Sequence, residues 1–268
     1  MDSSAGQKRR GEAGMAERGG VQSVQRVLDV LEALAAHGGA MSLSRLAQET
    51  RLPVATLHRL AGTLVERGYL RRLPDRGYAL GFRLAPLGAT AHSLIGGQAE
   101  AILAGLVDAL GETANLAVRA GDSVEYVAQA PSPHRMRMFT EVGRRAPLHS
   151  TGVGKALLAA QQDAEIRAVL ERTGMSADTV HTRTGVREFL ADIALVRDRG
   201  WALDDQEQEI GVRCVAVAVF SADQVDPGAN VALSVSGPVP RMDDALVERA
   251  AGELAAAAGR LGAVLMEG

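Results

Sequence analysis

The chain has 268 residues, of which 47% are hydrophobic, and this is enough for two globular domains with separate cores. The longest apolar run, residues 214–220, has the length of a buried strand, so the sequence excludes a membrane-spanning segment. The single cysteine, Cys214, excludes an internal disulfide and a cysteine-cluster metal site, and it fits a reducing compartment.

The net charge of -3 hides two halves of opposite character. Residues 1–92 hold 13 Lys and Arg against 8 Asp and Glu, a balance of +5, whereas residues 93–268 hold 16 against 24, a balance of -8. A basic module joined to an acidic one favours a polyanion as partner of the first module and a different role for the second.

Residues 1–20 are polar and Gly-rich, and they lack the apolar middle of a secretion signal. We therefore expect a disordered tail over residues 1–20 of a cytoplasmic protein. No membrane partner is expected.

The next sixty residues predict three helices and a hairpin. Apolar residues recur at helical spacing from Val24 to Leu34 before a Gly pair, Ser42 is suited to cap a second helix, and Pro53 is suited to the first position of a third. Two short strand-like runs then flank residues 74–77, where Gly77 can take a positive φ. This order predicts a winged helix-turn-helix over residues 21–82.

The third helix leaves one polar face free of its apolar stripe, which is what contact with a DNA major groove requires. Arg59 has the geometry to bind guanine through two hydrogen bonds, and the wing arginines are suited to phosphate or the minor groove. A solvated face and a protein-docking module are the alternatives. The candidate DNA-binding residues are Ala55, Thr56, His58, Arg59, Thr63, Arg71, Arg72 and Arg76.

The rest of the chain predicts a mixed second domain over residues 98–268, reached through a linker helix over residues 83–97 and a second helix over 98–110. Strands are expected over 113–120, 123–130, 214–220 and 230–236. A further strand is expected at 134–139, where arginines alternate with methionines on a face that is either solvated or ligand-binding. Helices are expected over 152–160, 164–172 and 186–199 and at the C-terminus.

Residues 149–155 resemble a nucleotide-binding loop but fail its pattern. His149 stands where the first Gly is required, and Ala156 stands where a hydroxyl should bind magnesium. What remains is a helix start at which the N–H groups of Gly152, Val153 and Gly154 are expected to be unpaired and suited to a carboxylate. The alternative is that the glycines are there for close packing.

Two serines in residues 231–238 share one strand face by the alternation of side chains. Ser234 and Ser236 lie with Ala232, opposite Val231, Leu233 and Val235, and two hydroxyls on one face suit a small polar ligand. Cys214 is more typical of a small buried hydrophobe, and Asp204 of a solvated acid.

Three stretches in order resemble the IclR-type bacterial transcription regulators: LPVATLHRLAGTLVERGYLRR, EVGRRAPLHSTGVGKALLA, and DDQEQEIGVRCVAVAVF with VALSVSGP. The resemblance implies an α+β protein with an N-terminal winged helix-turn-helix, a linker helix and a C-terminal GAF-like α/β effector-binding domain. It also implies a ligand-controlled regulator, expected to be a repressor, that forms a homodimer or a dimer of dimers on double-stranded operator DNA. The effector would be a small carboxylate such as a keto acid or ureide. The implied effector-binding residues are Gly152, Val153, Asp204, Cys214, Ser234 and Ser236.

An enzyme with a winged-helix docking domain is the rival hypothesis. His149, Ser150, Lys155, Asp204 and Cys214 supply nucleophile and base types, but they form no known catalytic motif, and no pair of residues has zinc-site spacing. We therefore expect no catalytic residue, no metal site and no cofactor.

Overall fold

The computed structural model describes residues 21–138, 141–219 and 230–267, and it divides the chain into two compact units between residues 88 and 89. The tail predicted over residues 1–20 lies outside the described residues. No helix in the described part of the chain is long and apolar enough to cross a membrane.

The first unit has the predicted three helices and wing. The helices are α1 (Gln22–Ala36), α2 (Leu43–Thr50) and α3 (Val54–Glu66), and the strands are β1 (Ala40–Met41), β2 (Leu70–Arg72) and β3 (Tyr78–Leu80). β3 lies between β1 and β2 in an antiparallel sheet, so the hairpin is completed by a short strand that the sequence did not predict. A single apolar core joins the helices to the sheet; its fully buried members include Val30, Leu34, Leu46, Leu57 and Ala61.

Local sequence signals explain where these helices begin and end, with two corrections. The Ser42 hydroxyl accepts the Arg45 N–H at 3.3 Å, as expected of an N-cap. Pro53 is the N-cap of α3 and not its first helical residue as predicted, since the helix begins at Val54. In the wing turn the positive φ belongs to Arg76, at 64°, and not to Gly77. Gly77 is needed for another reason, because a Cβ there would lie 3.1 Å from the Met41 carbonyl oxygen.

The two helices predicted over residues 83–97 and 98–110 form one continuous helix, α4 (Leu84–Leu110). Pro86 does not break it, because Pro86 lies in the first turn, where an N–H would have no acceptor within the helix. Residues 96 and 97, both glycines, are also helical.

The second unit is built on one six-stranded antiparallel sheet. Its strands are β4 (Thr113–Ala120), β5 (Ser123–Ala130), β6 (Arg145–Pro147), β7 (Ala202–Asp205), β8 (Val212–Ala218) and β9 (Val231–Pro238), in the order β6-β5-β4-β9-β8-β7. The remaining helices are α5 (Gly152–Ala159), α6 (Asp163–Thr173), α7 (Val186–Arg199) and α8 (Asp244–Glu267). The prediction over 214–220 corresponds to β8, and residue 220 lies outside the described residues.

Helices cover both faces of this sheet. Residues of α4 and α8 pack with Leu233 and Val235 in one core, while residues of α5, α6 and α7 pack with Ala216 and Ala232 in another. Because neighbouring residues of a strand point to opposite faces, β9 contributes alternate residues to each core. The fold is therefore mixed α and β, as predicted.

The strand predicted at residues 134–139 is wrong for the described part, because residues 134–138 have no regular structure. Their carbonyl groups are held by side chains instead of a neighbouring strand. Arg241 Nη2 donates to the Met136 oxygen at 2.9 Å, and Thr113 Oγ1 donates to the Met138 oxygen at 3.0 Å. Alternation of polar and apolar residues alone does not tell whether the backbone carbonyl groups accept hydrogen bonds from a neighbouring strand or from side chains.

Candidate functional site

The outer face of α3 carries the polar side chains that the sequence singled out. Ala55, His58, Arg59 and Thr63 are exposed, and Thr56 is partly exposed, while the apolar stripe of the helix is buried against the rest of the first unit. The Thr63 hydroxyl donates to the Arg59 carbonyl oxygen at 3.2 Å. Its own proton is therefore used within the helix, so Thr63 can only accept a further hydrogen bond.

The wing presents the other three arginines. Arg71 and Arg72 are exposed on the edge strand β2, and Arg76 is exposed in the turn between β2 and β3. Because adjacent strand residues point to opposite faces, Arg71 and Arg72 reach away from each other. Within the described residues, none of these three side chains or Arg59 forms an ion pair, so each keeps a guanidinium available for a phosphate or a base.

In the second unit, the sheet register brings together most of the other predicted residues. Asp204 on β7 is the cross-strand partner of Cys214 on β8, and Cys214 is the partner of Ser236 on β9. Ser234 lies on the same face of β9 and is the partner of Asn115 on β4. All five side chains are buried. They form a polar row on a sheet face whose other buried residues are mostly apolar.

The start of α5 packs directly on this row. A Cβ at Gly152 would lie 3.1 Å from the Cys214 carbonyl oxygen and 3.3 Å from its sulfur, so Gly152 permits the close approach of helix and strand. A Cβ at Gly154 would overlap the backbone of Leu148. The glycines are thus required by packing, which was the alternative explanation from the sequence.

The predicted set of unpaired N–H groups at α5 needs one correction. The Gly154 N–H donates to the Thr151 hydroxyl at 3.1 Å and is not unpaired. The N–H groups of Gly152 and Val153 precede the first intrahelical bond, and no described residue accepts them. The Val153 side chain is fully buried in the core, so only its backbone can take part in binding.

Three residues of the site were missed from the sequence. Asn115 Nδ2 lies 3.5 Å from the Ser234 hydroxyl and 3.4 Å from that of Ser236, and Gln129 Nε2 donates to Asn115 Oδ1 at 3.0 Å. Tyr126 is buried on the same sheet face, close enough to Cys214 and Asp204 for their charges to affect its pKa. For Asn115 the sequence does contain a signal, because Thr113 and Asn115 alternate with apolar residues along β4.

Burial sets the protonation of the ionisable groups in the row. It raises the pKa of the Cys214 thiol to about 12 and also raises the pKa of Tyr126, so both groups are neutral near pH 7. Burial also raises the pKa of Asp204 to about 7, against the opposing effect of backbone hydrogen bonds and Lys155. A protonated, buried thiol is a poor nucleophile, which argues against a catalytic cysteine.

Lys155 lies one turn further along α5 and is fully buried in an ion-pair network. Its Nζ donates to Asp192 Oδ2 at 2.9 Å, to Glu207 Oε1 at 2.6 Å and to the Leu203 carbonyl oxygen. Arg183 Nη1 adds a contact to Glu207 Oε1 at 2.5 Å. All three protons of the ammonium group are used, so Lys155 supports the site without being available to a ligand.

The other residues of the rival enzyme hypothesis also have structural partners. His149 Nε2 lies 2.9 Å from the Ser176 carbonyl oxygen, and the Ser150 hydroxyl donates to Asp178 Oδ2 at 2.8 Å. Within the described residues, no hydrogen bond joins two of the five side chains of that hypothesis as nucleophile and base. Within residues 21–138, 141–219 and 230–267, no group of three His, Cys, Asp or Glu side chains is placed to hold a metal ion.

Both units match models of one protein family. The IclR helix-turn-helix domain matches residues 23–74, and the domain described as bacterial transcriptional regulator IclR C-terminal matches residues 89–263. The chain belongs to the IclR family of bacterial transcription regulators. The N-terminal unit is accordingly its DNA-binding helix-turn-helix domain.

Full-length relatives agree with this assignment. The transcriptional repressor IclR of Escherichia coli K12 and the acetate operon repressor of Salmonella typhimurium are each 34% identical over 254 residues, covering 90% of this chain and 91% of theirs. The crystal structure of the IclR transcriptional regulator from Alicyclobacillus acidocaldarius superposes with a TM-score of 0.70, at 29% identity, covering 92% of this chain and 99% of that one. These IclR relatives are regulators, so the chain is a transcription regulator and not an enzyme.

Proposed function

We propose that this IclR-family regulator is a repressor that binds operator DNA through α3 and the wing. The affinity for the operator is controlled by a small carboxylate, such as a keto acid or a ureide, bound between α5 and the sheet of the second unit. The bound effector contacts the α5 start and the polar row, through Gly152, Val153, Asp204, Cys214, Ser234 and Ser236.

The exposed polar face of α3 supports the DNA-binding part of this proposal. Arg59 and His58 project from a helix whose opposite side is buried, and four unpaired guanidinium groups lie on α3 and the wing. A side chain on α3 can read base edges, while the wing arginines neutralise phosphates. The affinity is therefore expected to fall steeply as salt concentration rises.

The effector part of the proposal rests on one observation. Two unpaired N–H groups at the start of α5 lie against a row of hydrogen-bonding side chains on the sheet. The N–H groups of Gly152 and Val153 provide the positive end of a helix, which binds a carboxylate without a cation. Ser234 and Ser236, supported by Asn115, add donors on the facing sheet. A small ligand that offers several oxygen acceptors is complementary to this surface.

Operator recognition also requires more than one copy of the chain. A single winged helix reads one half-site, and a palindromic operator needs two of them held at a fixed spacing, so the functional species is a homodimer or a dimer of dimers. The effector acts by binding two arrangements of that assembly with different affinity, a coupling typically worth about 1–3 kcal/mol.

The test is fluorescence anisotropy of the purified protein on its own upstream DNA, with pyruvate, allantoate and benzoate added in turn. We expect sequence-selective, salt-sensitive binding that one of the acids changes at least fivefold. Replacing Ser234 and Ser236 together by Ala should remove that response while DNA binding remains.

Two results would refute the proposal. Equal affinity for the upstream DNA and for random DNA would contradict the proposal that the protein recognises an operator. Loss of DNA binding in the double serine variant, at unchanged folding by circular dichroism, would contradict the division of roles between the two units.

A further inference from the structure

Asp204 is the one acid in the polar row, and it is buried. The residue is 3% exposed, and its Oδ1 accepts the N–H groups of Glu207 at 2.7 Å and Gln208 at 3.3 Å. No described residue donates a hydrogen bond to Oδ2. One oxygen is therefore fixed by the backbone, while the other remains available for a ligand or for a proton.

The ion-pair network beside Asp204 is balanced in charge without it. Lys155 and Arg183 are the two cations, Asp192 and Glu207 are the two anions, and these four groups pair with one another at 2.5 to 3.7 Å. Every proton of Lys155 is already used. The titratable and charged groups that act on Asp204 are Tyr126 on β5, Lys155 on α5, Glu207 after β7 and Cys214 on β8. Arg183 and Asp192 belong to the same network through their ion pairs with Glu207 and Lys155.

An ionised Asp204 would thus add an uncompensated negative charge to a buried, balanced network, which is costly at low dielectric. Burial accordingly raises the pKa of Asp204 to about 7. A carboxylate ligand placed in the same row adds a second negative charge, and two like charges in one buried site cannot both persist.

We propose that Asp204 receives the effector as a neutral carboxylic acid that donates its proton to a ligand oxygen, so that an anionic effector enters the site together with one proton. This inference rests on the proposed function, since it requires that an acid binds there. It makes Asp204 a specificity-determining residue: the neutral form favours oxygen acceptors, whereas the ionised form would favour an ammonium group.

Proton uptake has a measurable consequence. At pH values above the pKa of Asp204 in the free protein, the affinity for the effector should fall about tenfold per pH unit, because the proton must be taken from solvent. Pyruvate and benzoate remain ionised over this range, so the dependence would come from the protein.

The experiment is isothermal titration calorimetry of the full chain with pyruvate, allantoate and benzoate between pH 6 and pH 9. At pH 8 it is repeated in two buffers of different ionisation enthalpy, which yields the number of protons taken up. We expect affinity to fall at least fivefold per unit above pH 7.5, with close to one proton taken up per acid bound at pH 8. In Asp204→Asn both effects should disappear.

A control variant removes another titratable side chain that precedes α5. His149→Gln should keep the uptake of one proton, and the two-buffer measurement on the unmodified protein keeps the test decisive if Asp204→Asn fails to fold. Binding that does not change with pH would overturn the inference and leave the proposed effector site intact. No binding of any acid at any pH would overturn both.

Discussion

Lys155 and Glu207 form an ion pair inside the second unit, with 2.6 Å between Nζ and Oε1 and side chains 0% and 2% exposed. Lys155 extends from α5, and Glu207 follows β7, so the pair ties the helix that begins at Gly152 to the strand that carries Asp204. Such a pair is costly to desolvate, and removing one partner leaves an unpaired buried charge.

Lys155→Met should therefore destabilise the protein strongly. The substitution keeps the length of the side chain but leaves Asp192 and Glu207 with only Arg183, and we expect the free energy of unfolding to fall by about 3–5 kcal/mol. Urea denaturation followed by circular dichroism measures this change.

Arg172→Ala is the matched control for that variant. Arg172 pairs with Asp122 at 2.7 Å, but the side chains are 54% and 39% exposed. Solvent screens such a pair, so its removal should cost about 0–1 kcal/mol. Equal losses in the two variants would show that the Lys155 network does not stabilise the second unit.

Gly154→Ala should also destabilise the folded protein, although alanine ordinarily favours a helix. The new Cβ would overlap the carbonyl oxygen of Leu148, and rigid backbone cannot move aside cheaply. Overpacking of this kind typically costs about 1–3 kcal/mol. Gly252→Ala in α8 is the control, because open space surrounds that position and the variant should be neutral or up to about 1 kcal/mol more stable. Thermal and urea unfolding measure the stability of both variants. A Gly154→Ala variant at least as stable as Gly252→Ala would contradict the prediction.

The free energy of unfolding should depend on pH through Asp204. Its pKa is raised from 3.8 to about 7 in the folded chain, so folding favours the protonated form. The stabilisation is complete below pH 4 and is lost as pH rises towards 7, with a slope of up to about 1.4 kcal/mol per pH unit. Asp204→Asn should lack this decline, and the difference between the two proteins should become constant above pH 8. Parallel curves from pH 4 to 8, measured by urea denaturation, would contradict the raised pKa.

Periodicity predicted those parts of the fold that depend on local pattern. The apolar stripe of α3 and the alternation along β9 placed the exposed face and the serine pair correctly, because neighbours in sequence decide which side of a helix or strand is buried. Asp204 and Cys214 are implied by the family resemblance, and the strand register places both beside Ser236.

Local sequence patterns do not predict contacts between residues that are far apart in the chain. Lys155 is bound by residues 37 and 52 positions away, so nothing in its local pattern distinguishes it from a phosphate-binding lysine. Residues 134–138 alternate as a strand does, yet Arg241, 105 positions from Met136, holds their backbone. Both cases depend on which side chains long-range folding brings close.

The arginines of the first unit should affect DNA binding in two different ways. Arg59 lies on α3, where it can bind a guanine edge, and Arg71 lies on the wing, where it can neutralise a phosphate. Arg59→Ala should weaken operator binding by about 1–3 kcal/mol and relax the preference over random DNA. Arg71→Ala should weaken binding to both DNAs alike and reduce the slope of log affinity against log salt concentration by about 1. Arg167→Ala, an exposed position on α6 in the other unit, should change neither quantity. Anisotropy on operator and random duplexes at several salt concentrations separates these effects, and an unchanged operator preference in Arg59→Ala would mean that this side chain does not read base sequence.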